Sequence, residues 1–328
     1  MSSDTRTLRV AAVQMASENG EIRANLDRAT GLAEEAAAQG ARLVVFPEFM
    51  PTGYIFTSEI WDAGERRDGS TVQWLQETAR RLGIWLGTSF LEAEGSEFFN
   101  TFVLAGPDGR EAGSVRKQTP AAAEAYFCRG DKGGHVIETE LGTIGVGICY
   151  ENQLAFMPAL MYSGSIDLML MPHSAPSPTP APWLPRGRLA AISDILRRLP
   201  TSYAQMLGVP VIYVNKTGRF LSPVPGMPFY RQDSSFPGES TIVDSDGTIL
   251  LRLGAEEAVG VADVTLAEER KARAAPRRMG RFSIDIPWEI NAFVASEAAG
   301  RLSYRFSDVR KKKASAISSP ERGKAAAG

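Results

Sequence analysis

Short apolar runs of strand length alternate along this chain with amphipathic helical stripes, and that alternation most restricts its fold. Leu8 to Gln14 (LRVAAVQ) reads as a buried strand. Ile22 to Gln39 carries Ile22, Leu26, Ala29, Leu32, Ala33 and Ala36 on one helical stripe, and Gly40 is its stop. Leu43 to Phe46 is a second strand. Thr71 to Leu82 is a second helix with Val72, Leu75, Ala79 and Leu82 inward, and Ile84 to Phe90 is a third strand. Phe99 to Ala105 and a strand running toward Lys117 flank the turn Gly106-Pro107-Asp108-Gly109. Crossovers mixed with a hairpin predict an α/β sandwich with mixed sheets.

Beyond residue 140 the pattern continues. Strands are expected at Ile144–Ile148, Asp167–Met171, Val209–Asn215 and Val259–Val264. A hairpin is expected around Asp244–Gly247. Helices are expected over Asn152–Tyr162, Arg186–Leu207 (interrupted at Pro200) and Leu266–Ala274. Ser174–Pro185 is proline-rich, and 218–238 is rich in Pro, Gly and aromatics; both read as loops over a pocket. The expected organisation is a body over 1–275, a C-terminal arm over 276–309 and a disordered basic tail over 310–328. The arm, with Phe282, Trp288 and Phe293, packs on the body or on a second subunit.

Three predicted strands end on reactive side chains. Gly145-Val146-Gly147-Ile148 runs into Cys149, which places a thiol at the mouth of a sheet. The competing reading of Cys149 is a small buried core residue. Leu43–Phe46 runs into Pro47-Glu48-Phe49, and apolar surroundings suit Glu48 to general-base work. The third strand leads to Lys117. Thiol, base and fixed cation together make an acyl-transfer set. The thiolate attacks, Glu48 carries the proton, and Lys117 with the backbone N–H of Tyr150 holds the oxyanion.

Composition removes other classes. The net charge of −2 argues against nucleic-acid and membrane-surface roles. No apolar run spans a bilayer, and the first ten residues lack the apolar stretch of a secretory leader. The 2 cysteines, Cys128 and Cys149, make no disulfide framework, so a cytoplasmic location is expected. The 2 histidines, His135 and His173, have no metal-ligand spacing, and no cofactor or metal is expected.

FPEF around Glu48, RKQTP around Lys117 and GICYEN around Cys149, in that order, resemble the three signature motifs of the nitrilase or carbon–nitrogen hydrolase superfamily. The similarity runs from Leu8 to about Ala274 and includes VNKTG and GESTIVDSDGTIL. The resemblance implies a four-layer α-β-β-α sandwich with pseudo-two-fold symmetry, assembled as homodimers or larger oligomers. It also implies a second glutamate holding the lysine, which matches Glu124. Within the family, Tyr150 in place of the tryptophan common in nitrilases points to an amidase acting on a small amide. Asn152, Gln153 and Leu154, where N-carbamoyl hydrolases usually place arginines, point away from an α-carboxylate. A nitrile substrate, a carbamoyl substrate and acyl transfer to an amine stay open. Tyr150, Tyr54, Asn152, His173 and Trp183 are the expected substrate contacts, with Phe156 as a further wall.

Overall fold

The structure is a computed structural model that describes residues 5–180, 184–225, 227–277, 280–283 and 291–319. The first half gives strand β1 (Thr5–Gln14), helix α1 (Ile22–Ala38), β2 (Leu43–Val45), α2 (Ser70–Leu82), β3 (Trp85–Glu94), β4 (Glu97–Ala105) and β5 (Glu111–Arg116). The second gives β6 (Val136–Thr139), β7 (Gly142–Val146), α3 (Phe156–Ser163), β8 (Leu168–Pro172), α4 (Leu189–Leu207) and β9 (Val211–Val214). Then come β10 (Thr217–Val224), β11 (Met227–Pro237), β12 (Thr241–Val243), β13 (Ile249–Arg252), β14 (Ala258–Ala267), α5 (Asn291–Phe306) and α6 (Asp308–Ser318).

Two six-stranded sheets result, ordered β14-β1-β2-β3-β4-β5 and β13-β12-β9-β8-β7-β6. Along the first, neighbours pair antiparallel, parallel, parallel, antiparallel, antiparallel. Read from β6, the second sheet pairs in the same sequence of directions. The pairing thus supplies the pseudo-two-fold relation, with β7 standing where β1 stands and β8 where β2 stands.

Leu8, Val10, Leu43 and Val45 of one sheet meet Ile144, Val146, Leu168, Leu170 and Ile212 of the other in a shared core. The opposite faces are covered by helices. Leu26, Ala29, Ala33, Val72 and Leu75 seal the first sheet, and Met157, Met161, Leu199 and Tyr203 the second. The layers are α-β-β-α, because the central strands β1, β2, β8 and β9 are apolar on both faces.

The structure departs from the sequence reading in four places. Within the 218–238 region, β10 (Thr217–Val224) and β11 (Met227–Pro237) form a two-stranded ribbon, paired from Thr217↔Pro237 to Pro223↔Arg231; its prolines are tolerated because a ribbon has free edges. The expected helix over Leu266–Ala274 is absent. β14 continues to Ala267 because it pairs with β1 along ten residues, and only the short 3-10 turn Glu268–Arg270 follows. The helix after Cys149 starts at Phe156, not Asn152. Residues 310–318 of the expected disordered tail lie in α6, anchored by the buried Arg310, which donates to Ser96 O and pairs with Glu97 at 2.8 Å.

Candidate active site

β7 delivers Cys149 through a sharp turn. Cys149 has φ +54°, a left-handed conformation that costs a non-glycine residue roughly 1–2 kcal/mol. The bend is held from below. Asn152 Nδ2 donates to Gly147 O at 2.7 Å, and Tyr203 Oη donates to Asn152 O at 2.8 Å. A Cβ on Gly147 would run into Asn152 Oδ1, so only glycine fits there.

Glu48 follows β2, also at a strained step, since Phe49 has φ +48°. Ser174 Oγ donates to Glu48 O at 2.5 Å, Phe49 N donates to Ser89 Oγ at 2.9 Å, and Lys216 Nζ donates to Phe49 O at 2.8 Å. Three side chains therefore pin the backbone that aims this carboxylate. Lys117 follows β5, and its ammonium sits 2.7 Å from Glu48 Oε1 and 2.5 Å from Glu124 Oε2. Glu124 projects from the 3-10 turn Ala122–Tyr126. Glu48, Lys117 and Glu124 are all buried. Glu48 Oε2 has no hydrogen-bond partner among the described residues, which leaves it free to receive a proton.

The electrostatics follow from burial and charge pairing. Burial opposes the Lys117 charge, but the carboxylates of Glu124 and Glu48 outweigh it and hold Lys117 well above the ordinary lysine value. Burial raises Glu124, against the pull of Lys117. Burial, and then the charge of Glu48, push the Cys149 thiol well up; Lys117 and a backbone hydrogen bond from Ser174 act the other way. Cys149 therefore rests as a thiol, and it would need a base before it could attack a substrate.

Cys149 opens into a cavity of about 200 Å³. Tyr54 and Phe56, the strip Ala121–Ala123, the loop Ser174–Pro178 and the α4 residues Ile192, Ile195 and Leu196 line it. Among the described residues no lining residue carries a charge. Of the expected contacts, Tyr54 and Tyr150 border the cavity. Asn152 and His173 do not. They lie beneath its floor, 3.0 Å apart through Asn152 Nδ2 and His173 Nε2, and burial lowers His173 well below its ordinary value. Phe156 is also not among the lining residues, and Trp183 lies outside the described residues. Among the described residues no three of His, Cys, Asp and Glu converge as a metal site.

The family model described as Carbon-nitrogen hydrolase matches residues 9–274. The chain belongs to the carbon–nitrogen hydrolase family. It is an enzyme of that family. It is 30% identical to the omega-amidase NIT2 of Danio rerio over 79% of this chain and 88% of the relative. It is 26% identical to the N-carbamoylputrescine amidase of Arabidopsis thaliana, covering 80% and 87%. A nitrilase of Pyrococcus abyssi is 34% identical over 44% of this chain and 56% of its own length. The fold is shared with a carbon–nitrogen hydrolase from Helicobacter pylori G27, at TM-score 0.70, 20% identity and coverage of 79% and 89%. It is also shared with the amidase of Nesterenkonia sp. AN1, at TM-score 0.63, 23% identity and coverage of 80% and 91%.

Three members of this carbon–nitrogen hydrolase site are absent from the sequence reading. Asn100 of β4 donates through Nδ2 to Glu48 Oε1 at 2.7 Å and to Glu124 Oε1 at 2.8 Å. Glu151 Oε1 accepts from Gln118 N at 2.6 Å and Thr119 N at 2.9 Å, tying the lysine loop to the turn after Cys149. Lys216 is buried behind Phe49. A signal existed for Asn100, since an amide between Phe99 and Phe102 in an apolar strand needs a buried partner. For Lys216 and Glu151 the sequence offers only charged residues after strands.

Proposed function

We propose that this enzyme is an amidase that cleaves a small, uncharged amide to its carboxylic acid and ammonia through a thioester on Cys149. The observation that carries the reading is the cavity: Cys149 borders it, the charged Glu48, Lys117 and Glu124 are buried behind the thiol, and the lining residues among those described are uncharged. A carboxylate-bearing substrate would meet no cation among those lining residues.

Glu48 takes the thiol proton as Sγ attacks the carbonyl carbon. The oxyanion forms beside Lys117 Nζ and the N–H of Tyr150. Collapse breaks the C–N bond, and Glu48 returns the proton to the leaving nitrogen, so ammonia departs neutral. Water then gives a proton to Glu48 as it attacks the thioester carbonyl, the C–S bond breaks, and Glu48 returns that proton to the Cys149 sulfur as the acid leaves. Glu124 and Asn100 hold Lys117 and Glu48 in register throughout.

The nitrilase alternative has less support, since the Pyrococcus nitrilase is matched over 56% of its length against 88% for the omega-amidase. The reading extends to a reducing, cytoplasmic compartment and to a homo-oligomer. Two free cysteines support the first, and the exposed Leu302 and Phe306 of α5 and Val309 in the first turn of α6 support the second. Among the described residues no helix is long and apolar enough to cross a membrane.

The test is ammonia release from matched amide–nitrile pairs, aliphatic and aromatic, with Cys149→Ala as control. Release from amides alone is expected. Release from nitriles with acid as product would replace the amidase reading by the nitrilase one.

A further inference from the structure

Helix α5 lies wholly beyond the residues that the family model matches, yet it touches the turn that bears Glu124, the strand that bears Asn100 and, through Arg281, the turn after Cys149. The first contact is at Gly300. A Cβ there would lie 2.8 Å from the Tyr126 ring and 2.9 Å from the backbone carbon of Ala125. Only glycine lets the helix backbone press on the turn that bears Glu124 and, just before it, the Ala121–Ala123 wall. The second contact is at Tyr304, whose hydroxyl accepts from Phe98 N at 2.8 Å, two residues before Asn100. The third is at Glu297. It is buried, receives Arg281 Nη2 at 2.7 Å, and with Arg281 borders the Tyr150 hydroxyl. The Arg281–Ser283 stretch is itself strapped to the turn after Cys149. Ala155 N donates to Arg281 O at 2.8 Å, Ser283 N to Gln153 O at 2.8 Å and Ser283 Oγ to Asn152 O at 2.9 Å.

We propose that α5 is a positioning clamp for catalysis, in which Gly300 sets the Glu124 turn and Glu297, through Arg281, sets the Tyr150 turn that carries the oxyanion N–H. The substrate of the assay rests on the amidase reading above; the contacts themselves do not. The two turns follow strands of different sheets, and Glu151 and this helix both help tie them together. A shift of about 1 Å between them displaces Lys117 and the Tyr150 N–H from one oxyanion, and misplacements of that size cost about a hundred-fold in rate.

The full-length variants Gly300→Ala and Glu297→Gln test this. Two quantities are read: kcat and KM per titratable Cys149, and the rate of Cys149 alkylation by iodoacetamide. The expected result is a fall in kcat of about ten-fold or more, with KM changed less than about two-fold, together with slower alkylation. Ser303→Ala, on the exposed face of α5, leaves both unchanged. If Gly300→Ala does not fold, Glu297→Gln decides, being isosteric. Wild-type kcat per titratable thiol in a folded variant overturns the clamp, as does activity lost only in proportion to titratable thiol. If the wild type releases ammonia from no amide, the amidase reading fails and alkylation alone judges the clamp: slowed rates support it, and equal rates overturn it.

Discussion

Asn100 Nδ2 lies 2.8 Å from Glu124 Oε1, and the same nitrogen lies 2.7 Å from Glu48 Oε1. One neutral amide thus spaces two buried carboxylates that share a single lysine. Asn100→Leu removes both donors and leaves carboxylate oxygens unpaired. Hydrogen bonds to charged groups contribute about 1.5–3 kcal/mol each, so a loss of about 3 kcal/mol is expected in urea unfolding. The accompanying fall in kcat, read by ammonia release, is about a hundred-fold. Unchanged unfolding would mean that the bridge is incidental.

Lys117→Met leaves Glu48 and Glu124 buried without a cation. Breaking a buried pair costs about 3–5 kcal/mol, and turnover disappears with the oxyanion charge. The sign of the pH effect follows from Glu124, which burial already holds above its ordinary value of 4.5. A raised folded-state value means that the folded chain binds the proton more tightly, so this contribution is complete below pH 4.5 and is lost as pH rises. Without Lys117 that loss steepens. Thermal melts from pH 5 to 8 check it: the variant should lose more Tm across the range than the wild type.

Cys149 sits at φ +54°. Cys149→Ala and Cys149→Gly both abolish turnover, but glycine releases backbone strain that alanine keeps. The glycine variant is therefore expected to be about 1 kcal/mol more stable than the alanine variant, less whatever its greater unfolded-state entropy removes. Urea titrations of the two, side by side, test it. Residual turnover near wild type in either would remove Cys149 from the nucleophile role.

Burial lowers Lys216 to about 7, against a weaker opposing pull from Glu48. Below pH 7 the amine is charged in both folded and unfolded chains. Between pH 7 and 10.5 only the unfolded chain holds the proton, so this group makes stability rise with pH, by up to about 1.4 kcal/mol per unit. Lys216→Met removes that slope. The variant should compare best with the wild type at pH 6 and lose ground steadily by pH 9, as read from urea unfolding. A constant difference across the range would show that Lys216 titrates normally.

How much of this was legible beforehand can be judged residue by residue. The strand that ends on Cys149, the Pro-Glu-Phe step at Glu48 and the lysine after β5 each announce themselves within a few residues, because periodicity and strand ends are local properties. The ribbon at 217–237 was hidden, since its prolines and glycines imitate a loop. Helix α6 was hidden by its run of basic residues, and it is ordered by Arg310 reaching Ser96 and Glu97, more than two hundred residues away. Asn152 and His173 adjoin the right strands but lie under the floor and not in the wall, because one residue of turn decides which side of a strand end a side chain takes.

The sequence by itself determined the layered α/β plan, the order of the motifs and the proposed thiol, base and cation, all of which are written in short windows. Only the tertiary structure decided that Asn100 bridges the two glutamates, that the cavity is lined by uncharged residues among those described and that α5 packs on the Glu124 turn. Those contacts join residues from 24 to 206 positions apart, and which of them form is settled by how the two sheets and the arm pack together, a competition among long-range contacts that no local pattern records.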